Sequence, residues 1–267
     1  MKAVVLHSGG LDSTTAISQA IEDGAEEILA LSVHYGSLHN DAEGESAKDV
    51  IQEYSDVRHG AVVTRLAVVM PKEIFQSERS ALMGEIEMPN MTYQEIQQSE
   101  GPSPTVVPFR NANLLSIATA IADARGYDFV YIGAHADDAH QWAYPDCTPE
   151  FLGAMANAIY IGTYEKVRLV FPFIWMQKWE IVTRGVELGA PLHLTWSCYN
   201  PKALGVEKGP TGGVTEWIHC GKCPTCIERA NAFAEAGFID PTAYYIPLTD
   251  VLGEGYDLEE LVEWPIP

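Results

Sequence analysis

The sequence predicts an α/β protein built on a doubly wound parallel sheet. Two observations carry that expectation. Continuous apolar runs alternate with amphipathic ones from residue 3 to residue 188, and residues able to bind ligands fall just after the apolar runs. Strands buried on both faces read as continuous apolar segments, with helices between them covering the sheet. In such sheets ligands collect at the carboxyl ends of the strands.

The elements follow in order. Ala3–His7 is the first apolar run, and the helical run Thr14–Glu22 follows it. Ile28–His34 (ILALSVH) is a second strand and Ala42–Tyr54 a second helix. Ala61–Val69 is rich in β-branched residues and reads as the third strand. Asn111–Arg125 is helical, with Asn111 available to cap it. Phe129–Gly133 and Val167–Phe171 are strands, separated by the helical run Pro149–Ile159. Gln177–Leu188 and Thr225–Ala236 are the last helices. Two stretches break the alternation. Residues 71–105 hold Pro71, Pro89, Pro102 and Pro104, and read as a partly helical insert or mobile lid. Residues 199–219 are rich in Gly and Pro and read as an exposed loop. Residues 1–190 are therefore expected to form a nucleotide-binding α/β domain, and 191–267 a metal-binding, helical C-terminal region.

Composition bounds what such a chain does. Its 267 residues suffice for one large or two small domains, and 47% of them are hydrophobic, ordinary for a globular enzyme. No apolar run nears the ~20 residues of a membrane span. A strand pattern from residue 2 leaves no room for a secretory leader, so the expected compartment is the cytoplasm. A net charge of −21 argues against a nucleic-acid surface, because phosphate backbones would be repelled. The same acidity reads either as a solvated surface or as adaptation to high salt.

The most informative segment is Ser8-Gly9-Gly10-Leu11-Asp12-Ser13-Thr14, between the first strand and the first helix. Paired glycines let the backbone turn sharply and point N–H groups into one concavity, and the helix start adds its dipole. That is a site for phosphate oxygens. No Lys follows the loop, so it is not a GxxxxGK[ST] P-loop. The segment instead resembles the pyrophosphate-binding loop of the PP-loop ATP-pyrophosphatases, whose fold is adenine nucleotide alpha hydrolase-like. These enzymes split ATP between its α and β phosphates.

Four of the five cysteines lie near the C-terminus. Cys220, Cys223 and Cys226 form a doubled CxxC, and Cys198 stands upstream. Four thiolates suit tetrahedral Zn²⁺ with no open position, so the metal is expected to be structural. An iron–sulfur cluster also takes four Cys. Zinc is the expectation because nothing else in the sequence points to redox chemistry.

Other residues offer single pieces of chemistry. Tyr35 ends the second strand. Arg110 presents a planar fork for phosphate or carboxylate, and Lys178 opens a helix where it could meet an α-phosphate. Asp137 and Asp138 are candidates for holding Mg²⁺ on phosphates, although one could merely cap a turn. Asp146 could accept from the amino edge of a base with Tyr144 stacked on it; the same stretch reads equally well as a helix-opening turn.

Taken in order, SGGLDSTT, HYG, VPFRN, YPDCTPEF, LTWSCYN and CGKCPTC resemble the 7-cyano-7-deazaguanine (preQ0) synthase family over roughly residues 2–240. The resemblance implies a homodimer with one structural zinc per subunit, and ATP, Mg²⁺, ammonia and 7-carboxy-7-deazaguanine as reactants. It implies catalytic roles for Asp12, Arg110 and Lys178, ATP binding by Ser8–Thr14, and substrate contacts from Tyr35, Asn111, Tyr144 and Asp146. The chain departs from the pattern in places. The family has Gly where Phe109 stands and Gln-Arg where Ser37-Leu38 stand, and the segment between Cys198 and Cys220 is longer than usual. Two alternatives stay open: a ligase that stops at the amide or activates another carboxylate, and a non-enzymatic zinc-bound interaction subunit.

Overall fold

Lys2–Leu6 (β1), Glu27–His34 (β2), Val62–Val69 (β3), Phe129–Tyr131 (β4) and Arg168–Val170 (β5) form one parallel sheet in the order β3–β2–β1–β4–β5. The computed structural model describes residues 1–56, 60–76, 80–84, 86–89, 95, 103–139, 143–209, 212–252 and 255–264, with backbone alone for 56, 205–209 and 212–215. The chain winds outward from β1 to β3, then crosses back to lay β4 on the other side of β1. The strand order thus reverses between β1 and β4, which opens a crevice above their carboxyl ends.

Side-chain alternation explains why the sheet is covered on both faces. Ala3 and Val5 of β1, with Ile28 and Ala30 of β2, belong to one core; Val4, Leu6, Leu29 and Leu31 belong to the other. The first core is roofed by Leu11–Glu22 (α1), Asn40–Asp56 (α2) and Lys178–Glu187 (α6) through Ile17, Tyr54 and Ile181. Arg110–Arg125 (α3) and Pro149–Gly162 (α5) roof the second through Leu115, Ala118 and Leu152. The short helix Ala136–Ala139 (α4) follows β4. All five expected strands and the helices between them are present. Boundaries shift by a few residues, most at α1, which begins at Leu11 because Gly10 takes the N-cap position.

The exposed loop expected over 199–219 is instead an antiparallel hairpin, Lys202–Gly209 (β6) with Gly212–Ile218 (β7). Gly209, Gly212 and Gly213 stand at the far end of the hairpin, while Val214, Thr215, Trp217 and Ile218 give the returning arm strand character. Within 71–105, the described parts make two 3₁₀ turns, Lys72–Ile74 and Ala81–Met83. Phe75 and Leu82 pack with Tyr35, Met70 and Val107 in a small core of their own. Residues 77–79, 85, 90–94 and 96–102, including Pro102, lie outside the described residues.

The C-terminal helix Pro224–Glu235 (α7) is tied down by a fully buried cation. Arg229 pairs with Asp240 at 3.0 Å and donates to Thr195 Oγ1 (2.7 Å) and the Leu192 carbonyl (3.1 Å). Phe233 and Trp264 join the first core. Removing either partner of a buried pair strands the other charge, so this bond fixes α7 against the 192–197 segment.

Candidate active site

The phosphate loop is locked from outside. Gly9 has φ +89°, and a Cβ there would lie 2.7 Å from Ala47 N and from Glu43 O of α2. The Gly9 carbonyl accepts from Trp196 N (2.9 Å) and from Ser46 Oγ (2.9 Å). Only glycine fits there, since the turn requires a left-handed backbone and α2 is seated against it. Gly10 has no side chain with which to bond the first-turn N–H groups of α1, so these are left for an anion. Ser8 and Ser13 brace the concavity: Ser8 N donates to Ser13 Oγ (3.3 Å), and Ser13 Oγ donates to the Gly10 carbonyl (3.0 Å). Gly133, at the end of β4, allows an equally close approach. A Cβ there would meet the Asp12 backbone at 3.0 Å.

The loop opens into a cleft of about 220 Å³ at the β1/β4 reversal. Of the predicted residues, Ser8, Gly10, Asp12 and Ser13 line it from the loop side. Tyr35, Arg110, Asn111 and Asp138 line its other walls. Arg110 donates to Tyr35 OH (3.2 Å). Burial works against its charge, but the phenols of Tyr35 and Tyr199 outweigh that and raise its pKa further. Asn40 orders the turn that presents Tyr35, its Oδ1 accepting from the backbone N–H of Tyr35, Gly36 and Ser37.

A smaller cavity of about 120 Å³ adjoins the cleft, sharing Ser8, Gly10 and Asp12 with it and adding Lys178, His135 and Glu228. Lys178 Nζ lies 2.6 Å from Asp12 Oδ2, 3.4 Å from His135 Nε2 and 3.8 Å from Glu228. Burial alone would lift the Asp12 pKa; the charge of Lys178, then that of His135, overcomes it and holds Asp12 below the carboxylate range. Lys178 is raised in turn by Asp12, Glu228 and Asp138 against the cost of its own burial. Burial pushes Glu228 up to about 7, opposed by Lys178 and His135.

Four sequence-predicted residues, Asp137, Asp146, Tyr144 and Thr14, line neither cavity. Asp137 accepts from the Lys178 backbone N–H (2.7 Å) at the start of α6, so of the two Mg²⁺ candidates only Asp138 lines the cleft. Asn111 does not cap α3: Phe109 takes that position, and the Asn111 N–H is received by Asp146 Oδ2 at 2.9 Å. Asp146 therefore spends an oxygen on a helix start, and Tyr144 OH meets Thr105 Oγ1 at 2.5 Å; neither lines the cleft. The stretch itself leads into α5, whose N-cap is Thr148. Thr14 supports the loop from below through His7 Nε2 (3.2 Å).

The four C-terminal cysteines converge. Their ligating sulfurs all lie within 4.8 Å of one another, fully buried, with Cys223 Sγ 3.4 Å from Cys226 and 3.9 Å from Cys198. Four sulfurs about 2.3 Å from one tetrahedral ion would stand about 3.8 Å apart, so the set fits a metal and not a disulfide pair.

The family model described as queuosine biosynthesis protein QueC matches residues 2–237. The chain belongs to the QueC family. It is 38% identical to a 7-cyano-7-deazaguanine synthase of Marinomonas sp. (strain MWYL1) over 91% of this chain and 98% of that protein. It is equally identical to one of Thermoplasma volcanium, over 91% and 90% respectively. Among solved structures, the U34-tRNA thiolase NcsA of Methanococcus maripaludis is similar with a TM-score of 0.43 and 16% identity, over 71% of this chain and 58% of that one.

One departure of this QueC-family chain has a backbone explanation. Phe109, where the resemblance puts a glycine, has φ 54° and ψ 28° and is 66% exposed, its ring edge-on to Phe151. The left-handed region costs a non-glycine residue roughly 1–2 kcal/mol. An exposed aromatic pair returns only about 0.5 kcal/mol. Phe109→Ala keeps the strain and loses the ring, whereas Phe109→Gly relieves the strain. The glycine variant is expected to be more stable than the alanine variant by about 1 kcal/mol, measured by denaturant midpoint; the reverse order would refute the strain.

Two buried histidines give this QueC-family chain a pH signature. Burial, then the charge of Arg65, pushes His7 down to about 3; burial, then Arg110, does the same to His39. Unfolded, both titrate near 6.5. The stability of the neutral rings is therefore complete above pH 6.5 and is lost as the pH falls toward 3. His7→Gln is expected to flatten this acid loss; equal slopes for variant and wild type in denaturation midpoints between about pH 7 and pH 5 would contradict it.

Sequence reasoning missed Glu43, His39, Tyr199 and Glu228 as walls of the two cavities. Tyr199 had one usable signal, its place beside Cys198. Glu228 had a similar one, two residues after Cys226, whereas Glu43 is a single charge inside a helix with no motif around it.

Proposed function

We propose that this chain is an ATP-dependent carbon–nitrogen ligase that converts 7-carboxy-7-deazaguanine and ammonia to 7-cyano-7-deazaguanine through adenylated acid and amide intermediates. The observation that carries this reading is a phosphate loop open to a cleft at the strand reversal, in a chain of the QueC family. A carboxylate is a poor electrophile. Its oxygen attacks the α-phosphorus of ATP, and pyrophosphate leaves onto the loop. Ammonia then displaces AMP to give the amide, and a second adenylation, on the amide oxygen, lets AMP depart as the nitrile forms. Such chemistry asks for electrostatic stabilisation of the phosphates and not for a covalent nucleophile.

In this reading the N–H groups of the α1 start, with Ser8 and Ser13, hold pyrophosphate. Lys178 and Arg110 offset the charge that develops at the α-phosphate, and Asp12 keeps Lys178 charged and aimed. The base lies against Tyr35 and Asn111. Asp146 and Tyr144 position Asn111 and the 103–105 segment, since their polar atoms already serve those partners. Asp138 is the carboxylate available to Mg²⁺, which would neutralise phosphate oxygens. Cys198, Cys220, Cys223 and Cys226 hold one structural Zn²⁺, a closed set offering no open position for chemistry. Residues 1–190 carry the nucleotide and 191–267 the metal. A cytoplasmic homodimer completes the reading; among the described residues no helix is long and apolar enough to cross a membrane.

The test is a mass measurement on the product of purified protein incubated with ATP, Mg²⁺, ammonium and 7-carboxy-7-deazaguanine. Nitrile with AMP and pyrophosphate is expected. Accumulated amide would favour the shorter reaction, and no pyrophosphate would refute the ligase.

A further inference from the structure

The functional reading leaves two buried carboxyls of these cavities, Glu43 and Glu228, without a role, and of the two only Glu43 lines both. Glu43 stands in the first turn of α2, and its own backbone oxygen is one of the atoms that forbid a side chain at Gly9. The helix that carries it is thus seated on the phosphate loop. Its side chain is 19% exposed, lies 3.6 Å from His39 Nε2, and lines both the cleft and the smaller cavity. Two other carboxylates share that junction and both are engaged, Asp12 by Lys178 at 2.6 Å and Asp138 by His135 at 3.4 Å. Glu43 has the weaker partners. His39 beside it is held neutral, and Arg110 across the cleft is bonded to Tyr35.

We propose that Glu43 is the proton acceptor for the nitrogen nucleophile, stationed where the nucleotide cleft meets the smaller cavity. This rests on the ligase reading above. In the first round the ammonia lone pair forms the C–N bond to the carbonyl carbon of the acyl adenylate. The C–O bond to AMP breaks, AMP leaves with the electron pair, and the surplus proton on nitrogen passes to the Glu43 carboxylate. In the second round the adenylated amide sheds its two N–H protons, the last of them to Glu43, as the C–O bond to AMP breaks and the C≡N bond forms. Water takes the other proton and recharges Glu43 between rounds.

The surroundings suit that task. Burial lifts the Glu43 carboxyl to about 8, although Arg110 and a hydrogen bond from Asn40 pull it down. A base in this range both accepts and returns protons near neutrality. The charged and titratable groups facing it are His39 on its own segment, Arg110 from α3, Asp12 from α1 and Asp138 with His135 from beyond β4. Lys178 from α6, Tyr199 with Glu228 from the C-terminal region, and His7, His34 and Tyr35 at the ends of β1 and β2 complete the ring among the described residues.

The experiment separates adenylation from nitrogen transfer in the full chain. ATP–pyrophosphate exchange driven by 7-carboxy-7-deazaguanine is measured without ammonia. Amide and nitrile are then measured by mass at a constant concentration of free ammonia across the pH range. Glu43→Gln is expected to keep exchange within about threefold while losing amide and nitrile formation by at least about 100-fold. The wild type is expected to show a rise in rate through about pH 8, which the variant should lose. Glu43→Asp should restore part of the nitrogen-transfer rate, and it carries the comparison if Glu43→Gln fails to fold. Amide formation at the wild-type rate and pH profile would overturn the proposal, and so would equal losses in both half-reactions. Absence of exchange in the wild type would overturn the ligase reading instead, and this proposal with it.

Discussion

Cys223→Ser is expected to release the metal and unfold the C-terminal region before any effect on chemistry becomes measurable. The four sulfurs are buried within 4.8 Å of one another, and four thiols so close need a cation to stay together as thiolates. Metal binding in such sites is folding free energy, on the order of 10 kcal/mol for small zinc domains. That is as large as the whole stability of a typical domain. The consequence reaches the active site because the metal ligands and the smaller cavity share chain segments. Trp196, Ser197 and Tyr199 flank Cys198, while Thr225 and Glu228 flank Cys226, and all five line the cavity. Aggregation or a sharply lowered Tm, with no zinc by elemental analysis, is the expected outcome. A stable, active and metal-free Cys223→Ser protein would refute a structural metal.

Lys178→Met should have the second-largest effect, and it should act on chemistry and stability together. The ammonium is 12% exposed and stands between Asp12 and Glu228. Removing one cation that stabilises developing phosphate charge costs about 10²–10³-fold in kcat. Removing one partner of a buried pair also leaves Asp12 uncompensated, a loss of about 3–5 kcal/mol. Asp12 should answer by taking up a proton more readily, since burial works against its charge and Lys178 is the largest influence that holds it ionised. Pyrophosphate release and denaturant unfolding check the two halves. Near-normal pyrophosphate release by a folded Lys178→Met protein would remove Lys178 from the phosphate site. An unchanged unfolding midpoint would show that the pair is not buried in the sense argued above.

The sequence by itself determined the sheet, the glycine turn after β1 and the four cysteines that converge. Each is a local pattern with a local physical cause. Apolar runs such as Ile28–His34 have one stable place in a two-faced sheet, Gly9 and Gly10 are needed where the backbone turns onto an anion, and doubled CxxC spacing turns three sulfurs to one side. The hairpin at 202–218 was also legible in Val214, Thr215, Trp217 and Ile218, but its Gly and Pro residues spoke louder. Only the tertiary structure decided which polar residues face the cavities. Asp146 and Tyr144 carry the right chemistry for a base, yet Asp146 is bound to the start of a helix from a distant segment and Tyr144 to Thr105. Asp137 and Asp138 are neighbours in sequence, and one caps α6 while the other lines the cleft. Glu43 and Glu228 look like ordinary charges on helix faces, and become buried acids because α2 and α7 close onto the loop from opposite ends of the chain. Burial and charge at a site sum over neighbours brought together by folding, and no spacing along the chain encodes that sum.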